Sequence, residues 1–372
     1  MSQDRIRGCL VGGAAGDALG YAVEFLPWDQ IRIAYGEGGI RTYELDGFSG
    51  KALISDDTQM TLFTANGILI GETRGKLTGH QAYPSFYVWY AYRDWYLTQS
   101  SLAEDPAEEI RSWLLDVRDL YKRRAPGTTC LQALRSGECG SIEKPINKSK
   151  GCGGVMRVAP LALRYRTLPY ETLDREGAQL AAITHGHPLG YIPAAILVHI
   201  VHAAVYGTGA QTLEAIVREA LASAESIFGE SEHMAVQREL LRKAIVLSKN
   251  HKSDLENIRM LGEGWVAEET LAIAVYCALK YQRDFSEAII AAVNHDGDSD
   301  STGAVTGNIL GAWLGAGAIE DRWKKHLELY SVIVELADDL WRGCPLTKEE
   351  PNKDPVWATK YVEGKRVLRN RS

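Results

Sequence analysis

Small and apolar residues recur along most of the 372-residue chain at helical spacing, and runs of β-branched alternation are scarce. This pattern predicts helices over 4–19, 56–71, 84–97, 106–124, 155–164, 175–183, 189–206, 211–226, 233–248, 267–281, 284–293, 301–316 and 320–341. In 84–97, "PSFYVWYAYRDWYL", Phe86 with Tyr90, and Trp89 with Tyr92 and Tyr96, fall at helical spacings, as expected of a buried aromatic stripe. The glycine-rich stretch from Tyr35 to Ala52 reads as a mobile loop. No Pro/Ser-rich linker or break in composition divides the chain. The expected fold is all-α: one compact multi-helical domain over 1–372, with a solvated basic tail at about 360–372 ("KYVEGKRVLRNR" from Lys360 to Arg371).

Two predicted helices carry glycine every fourth residue. Gly8, Gly12, Gly16 and Gly20 form one series, and Gly303, Gly307, Gly311 and Gly315 form the other. Glycine inside a helix costs about 1 kcal/mol relative to alanine. Residues four apart share a face, so each helix presents a ridge without side chains. The compensating gain is close backbone approach to a neighbour. The two helices are expected at the centre of the fold, crossing closely, with each other as the candidate pair.

Composition narrows the function classes. The chain is 45% hydrophobic and 24% charged with a formal net charge of -7, which gives no electrostatic basis for binding nucleic acid. Cysteines at 9, 130, 139, 152, 277 and 344 form no CxxC pair, so neither a disulfide framework nor a zinc knuckle is indicated. The apolar N-terminal run is broken by Asp17 and is too short to span a membrane. A reducing, cytoplasmic location without membrane association is expected, and a monomer.

The candidate chemistry lies in "NHDGDSDSTG", from Asn294 to Gly303, where Asp296, Asp298 and Asp300 crowd together. An EF-hand beginning at Asp296 needs Gly at its sixth position and Glu at its twelfth, but Ser301 and Gly307 stand there. A solvated acidic turn, a helix N-cap at Ser301 and a metal site remain. A second acidic helix start, "ISDDTQMTL", favours the metal site: Ser55 suits an N-cap, and Asp56 and Asp57 sit in the first turn. Together the segments offer four carboxylates and two hydroxyls. Such hard oxygen donors suit Mg²⁺ or Mn²⁺ better than zinc.

These segments, with "GCLVGGAAGDALGYAVEF", "GCGGVMRVAP" and "ITHGHPLGYIPAA", resemble in order the motifs of the ADP-ribosylglycohydrolase family, including the dinitrogenase-reductase-activating glycohydrolases and ADP-ribosyl-acceptor hydrolases. The resemblance covers nearly the whole chain. It implies an all-helical fold with two Mg²⁺ or Mn²⁺ ions in a central cleft, held by Ser55, Asp56, Asp57, Asp298, Asp300 and Ser301. Asp296 then falls outside the ligand set. Glu24 corresponds to a family glutamate on a mobile segment beside the metals, and with Asp298 it is a candidate catalytic group.

The same resemblance implies a substrate loop in "NKSKGCGGVMR", with Ser149, Lys150, Gly151, Cys152, Gly153 and Gly154, and a cleft histidine at His185. Glycines there let backbone N–H groups approach a diphosphate. His187 fits a capping role, and His199 and His202 fit structural roles. The implied substrate is an ADP-ribosylated protein, arginine-linked first, with serine-linked or free ADP-ribose derivatives as alternatives. Ser55 and Ser301 stand where the family often has Thr, Cys152 where Asn is commoner, and Lys150 where some relatives carry an aromatic; the last difference bears on substrate identity. Competing classes are a catalytically silent ADP-ribose-binding module and a metal-dependent phosphohydrolase on another fold.

Overall fold

The computed structural model describes residues 2–100, 110–229 and 231–367. The chain runs through α1 (Ser2–Tyr21), α2 (Trp28–Tyr35), α3 (Asp56–Thr78), α4 (Pro84–Gln99), α5 (Thr128–Arg135), α6 (Ala159–Arg164), α7 (Tyr170–Ala182), α8 (Pro188–Tyr206) and α9 (Leu213–Phe228). It continues through α10 (Glu232–Leu247), α11 (Asp254–Leu261), α12 (Ala267–Lys280), α13 (Phe285–Val293), α14 (Ser299–Leu314), α15 (Arg322–Lys325), α16 (Tyr330–Arg342) and α17 (Pro355–Tyr361). Among the described residues there is no β-strand; two isolated bridges join Ala52 to Leu327 and Gly151 to Val266. The all-α expectation holds, in one domain with one continuous core.

Helices α1 and α14 cross antiparallel at the centre, glycine on glycine. A methyl group built on Gly8, Gly12 or Gly16 would overlap the carbonyl oxygen of Gly311, Gly307 or Gly303 respectively. At the end of the ridge Gly20 meets Ser299. Gly315 departs from the series: it ends α14 with φ 88 and faces Asp4. Helix α8 is apolar enough, at mean hydropathy 1.7 over an 18-residue window, to pass for a membrane span, but 94% of that window is buried inside the protein. It is a core helix.

Several expected elements differ. Residues 106–109 of the expected helix 106–124 lie outside the described residues, and the rest forms two short 3-10 turns, Trp113–Asp116 and Arg118–Tyr121. Trp113, Leu114 and Leu115 are buried in succession, which a one-sided helix does not provide. The expected helix 320–341 breaks into α15 and α16. Ala52 takes the backbone groups between them, donating to His326 O at 2.9 Å and accepting from Glu328 N–H at 3.0 Å. Within the aromatic stripe only Tyr92 is fully buried, joined by Trp95; Phe86 is 48% exposed and packs against its neighbours Tyr87 and Tyr90.

The loop 36–51 is anchored to the body. Asn294 exchanges hydrogen bonds with the Ile40 backbone at 2.8 and 2.9 Å, and Tyr43 donates to Trp323 O at 2.9 Å. The basic tail is not wholly solvated. Lys360 is buried on α17, paired with Asp339 and, at 2.9 Å, with Glu335, and its Nζ lies over the Trp113 ring. A lysine takes this position because two carboxylates and aromatic faces replace its water.

Candidate active site

Three helices bring the acidic residues together. Ser55 caps α3, its Oγ accepting from Asp57 N–H at 3.2 Å, and so sets Asp56 and Asp57 in the first turn. Asp298, not Ser301, caps α14; its Oδ1 accepts from Ser301 N–H at 3.3 Å while Asp300 Oδ1 accepts from the same group at 2.9 Å. The helix therefore starts two residues earlier than expected, and Asp300 and Ser301 lie inside it. Between the two starts stands Asp17 of α1. It accepts from the N–H groups of Ser55 at 3.0 Å and Thr58 at 3.1 Å, and from the Thr58 hydroxyl. The glycine ridge thus fixes α14 against α1, and Asp17 fixes α3 against α1.

Ser55, Asp56, Asp57, Asp298, Asp300 and Ser301 are all buried. Glu24, just beyond α1, completes the cluster: one oxygen each from Glu24, Asp298 and Asp300 lie within 4.8 Å of one another. Burial, then the charge of Asp300, pushes the carboxyls of Asp56, Asp57 and Asp298 well above the carboxylate range. The same two causes push Glu24 up to about 10 and Asp17 up to about 7. Asp57 Oδ1 and Glu24 Oε2 are buried without a hydrogen-bond partner. Crowded carboxylates with partnerless oxygens fit a hard cation, which supplies both the missing partner and the missing charge. No nitrogen or thiolate donor set for zinc appears in this cluster.

The glycine loop forms one wall. Cys152 N–H donates to Trp265 O at 3.2 Å, Ala267 N–H to Lys150 O at 2.9 Å, and His187 N–H to Ser149 O at 3.2 Å. The loop glycines face His185: a methyl on Gly153 would stand 3.0 Å from its Cε1, and one on Gly151 3.4 Å from its Nε2. The Cys152 thiol lies next to Asp298 and Ser301, and burial pushes it up. Lys150 pairs with Glu268 of α12, so meeting a phosphate would require it to leave that partner.

His185 is oriented from behind. Fully buried Arg157 donates to the Thr184 hydroxyl at 2.6 Å, and that hydroxyl lies 2.8 Å from His185 Nδ1. Where the Thr184 hydroxyl, accepting from Arg157, gives its own proton to Nδ1, the neutral ring carries its hydrogen on Nε2. His185 then presents Nε2–H toward the glycine loop. Burial, then Arg157, lowers its pKa to about 3, so the ring is neutral.

The remaining candidates lie elsewhere. Asp296 accepts from Trp28 N–H and Arg259 Nε, both at 2.8 Å, and thereby seats α2 beside the site. His187 caps α8, accepting from Leu189 N–H at 3.1 Å. His199 pairs with Asp174 at 2.9 Å and His202 meets Arg166 O at 3.3 Å, both structural. A cavity of about 1120 Å³ bordered by Lys51, Arg118, Lys325 and Arg366 includes none of the clustered carboxylates.

The sequence profile of ADP-ribosylglycohydrolases matches residues 1–350. The chain belongs to that family. It is 24% identical to ADP-ribosylhydrolase ARH3 of Mus musculus over 92% of each chain. It is also 24% identical to ADP-ribosylarginine hydrolase Tri1 of Pseudomonas putida (strain GB-1), over 93% of this chain and 80% of Tri1. A solved ADP-ribosylglycohydrolase-related protein complex superposes with a TM-score of 0.63 at 26% identity, covering 92% of this chain and 98% of that one. Family membership makes the protein a hydrolase of the ADP-ribosylglycohydrolase type, and the carboxylate cluster is its candidate metal centre.

Asp17, Arg157, Thr184 and Trp265 were not singled out by sequence as site residues. Asp17 alone carried a signal: a carboxylate in the middle of a glycine-rich apolar helix has to be satisfied by something.

Proposed function

We propose that this protein removes ADP-ribose from modified protein side chains, arginine-linked ones first, by metal-dependent hydrolysis. The observation that carries the reading is the convergence of two acidic helix starts and Glu24 in one buried cluster, with the glycine loop and His185 alongside. The similarity to an ADP-ribosylarginine hydrolase supports the choice of acceptor. Ser55, Asp56, Asp57, Asp298, Asp300 and Ser301 would hold two Mg²⁺ or Mn²⁺ ions. Such ions, when bound, lower the pKa of water and supply a nucleophile near neutral pH.

The rest falls to the chain's own groups. Within the glycine loop from Ser149 to Gly154, where Cys152 N–H already donates to Trp265 O, the backbone N–H groups of Gly153 and Gly154 offer donors to the diphosphate. Nε2–H of neutral His185 offers a further donor beside them. Glu24 Oε2 orients the attacking water and takes its proton, with Asp298 as the second candidate base. Water oxygen bonds to the anomeric carbon as the C–N bond breaks, and the guanidine leaves with a proton. The ligand role of the acids separates this arrangement from the two-carboxylate glycosidases.

The test is incubation with arginine-ADP-ribosylated protein in Mg²⁺, Mn²⁺ or EDTA, followed by product analysis. Metal-dependent release of intact ADP-ribose is expected. Binding without turnover would mark a silent ADP-ribose module, and release of AMP would mark a phosphohydrolase. Asp298→Asn and Asp56→Asn should each cut turnover by about 100-fold or more and weaken Mn²⁺ binding with the helical circular dichroism retained. Full activity in either variant removes that residue from the site.

A further inference from the structure

Two exposed aromatic rings, one next to Glu24 in sequence and one on the segment bonded to the glycine loop, stack on each other. Phe25 directly follows Glu24 and is 65% exposed, yet its backbone takes φ 67, a region that bulky side chains rarely adopt. Its ring lies on the indole of Trp265, with centroids 5.5 Å apart and planes 18° from parallel. Trp265 itself is 36% exposed. Phe25 stays largely exposed despite this contact, and its backbone holds the left-handed region while its ring stacks.

The segment carrying Trp265 is wedged between both walls of the site. On the loop side, Trp265 O accepts from Cys152 N–H at 3.2 Å, and Ala267 N–H donates to Lys150 O at 2.9 Å. On the metal side, Glu263 O accepts from Asp298 N–H at 2.8 Å. Gly264, at φ 84, lies so close to α14 that an added methyl would stand 2.8 Å from Thr302 Cγ2. The indole is therefore mounted on backbone that touches both the glycine loop and a candidate metal ligand.

Glu24 is held differently. Its Oε2 is buried without a hydrogen-bond partner, so no bond to that oxygen aims the carboxylate at Asp298 and Asp300. The backbone that carries Glu24 therefore bears on its direction, and the next residue on that backbone is Phe25.

We propose that the Phe25–Trp265 stack is a clasp that positions Glu24 over Asp298 and Asp300 and registers it against the glycine loop. One contact thereby couples the wall that seats the substrate to the carboxylate that acts on it. The two rings are positioning residues. The proposal rests on the glycohydrolase reading above for its kinetic consequence, though not for its structural one.

The test uses Trp265→Ala, Phe25→Ala, the double variant, Phe25→Gly and the conservative Trp265→Phe in the full chain. Each ring deletion should lower kcat for ADP-ribose release by about 10- to 100-fold, with KM within about threefold, because a small misplacement of a reacting group has costs of this size. The double variant should fall no further than the worse single one, and Trp265→Phe should recover most of kcat. Phe25→Gly relieves the backbone while removing the ring, so its Tm should hold or rise as kcat falls. Amide hydrogen exchange at residues 22–26 should quicken in Trp265→Ala, although that substitution lies in a distant segment. Wild-type kcat in either ring deletion, losses that multiply in the double variant, or unchanged exchange at 22–26 overturns the clasp. If the wild-type protein releases no ADP-ribose, the glycohydrolase reading fails and the exchange result alone decides the clasp.

Discussion

The neutral state of His185 has a measurable consequence for acid stability. Its folded pKa of about 3, lowered by burial and Arg157, lies below the usual value of 6.5. Between those values the unfolded chain takes up a proton that the folded protein refuses. This contribution is complete above pH 6.5 and is lost as pH falls toward 3, by at most about 1.4 kcal/mol per pH unit. Urea unfolding of His185→Asn should therefore show a shallower loss of stability than wild type between about pH 6 and about pH 4. Equal slopes would mean that the ring is charged or solvated in the folded state. At this scale the motif acids were legible, because a hydroxyl and two carboxylates at a helix start have few alternative uses. Arg157 and Thr184 were not: their role depends on His185 being brought against a loop distant in sequence. Lys360 misled for a related reason, since the carboxylates that bury it lie on α16.

Along the helices, the glycine ridge sets two effects against each other. Replacing Gly307 with alanine should gain about 1 kcal/mol of helix propensity. The added methyl would overlap the Gly12 carbonyl, and both partners are backbone, which cannot rotate away. Sterics should win: Gly307→Ala should lower Tm despite better propensity, and Gly12→Leu or Gly307→Leu should lower it by about 10 °C or more or prevent folding. A rise in Tm for Gly307→Ala would show that the helices can separate at little cost. The ridge was readable because four-residue spacing is a property of one helix at a time. The long core helices α3, α8 and α12 were readable for the same reason. Short helices such as α2 and α11 were missed: eight residues hold little periodicity, and tertiary anchors such as Asp296 on Trp28 N–H seat them. The break between α15 and α16 depends on Ala52, far upstream, and has no local sign.

Across the whole molecule, the fold gathers negative charge that it cannot neutralise with its own side chains. Raised acid pKa values mean that the metal-free folded state binds more protons than the unfolded chain from about pH 4 upward. Stability is therefore lost as pH rises, through about 7 for Asp17 and toward about 10 for Glu24. A cation that binds only the folded state opposes this loss. Thermal melts with EDTA should show Tm falling from about pH 5.5 to about pH 8, and saturating Mg²⁺ should raise Tm more at the higher pH. An equal gain at both values would mean that the acids are not deprotonated by metal binding.

The contact between Gly16 and Gly303 also constrains how the protein can be made. Ribosomes add about 5–20 residues per second, so α1 leaves the tunnel on the order of tens of seconds before α14 exists. A glycine-rich helix does not persist alone for that time. The N-terminal segment must stay uncommitted until the last third of the chain arrives to receive it. Synthesis that stops before residue 299 leaves α1 without its partner and the acidic cluster without Asp300 and Ser301. An unfinished polypeptide thus has no partial activity to release, because the first helix is completed by one of the last.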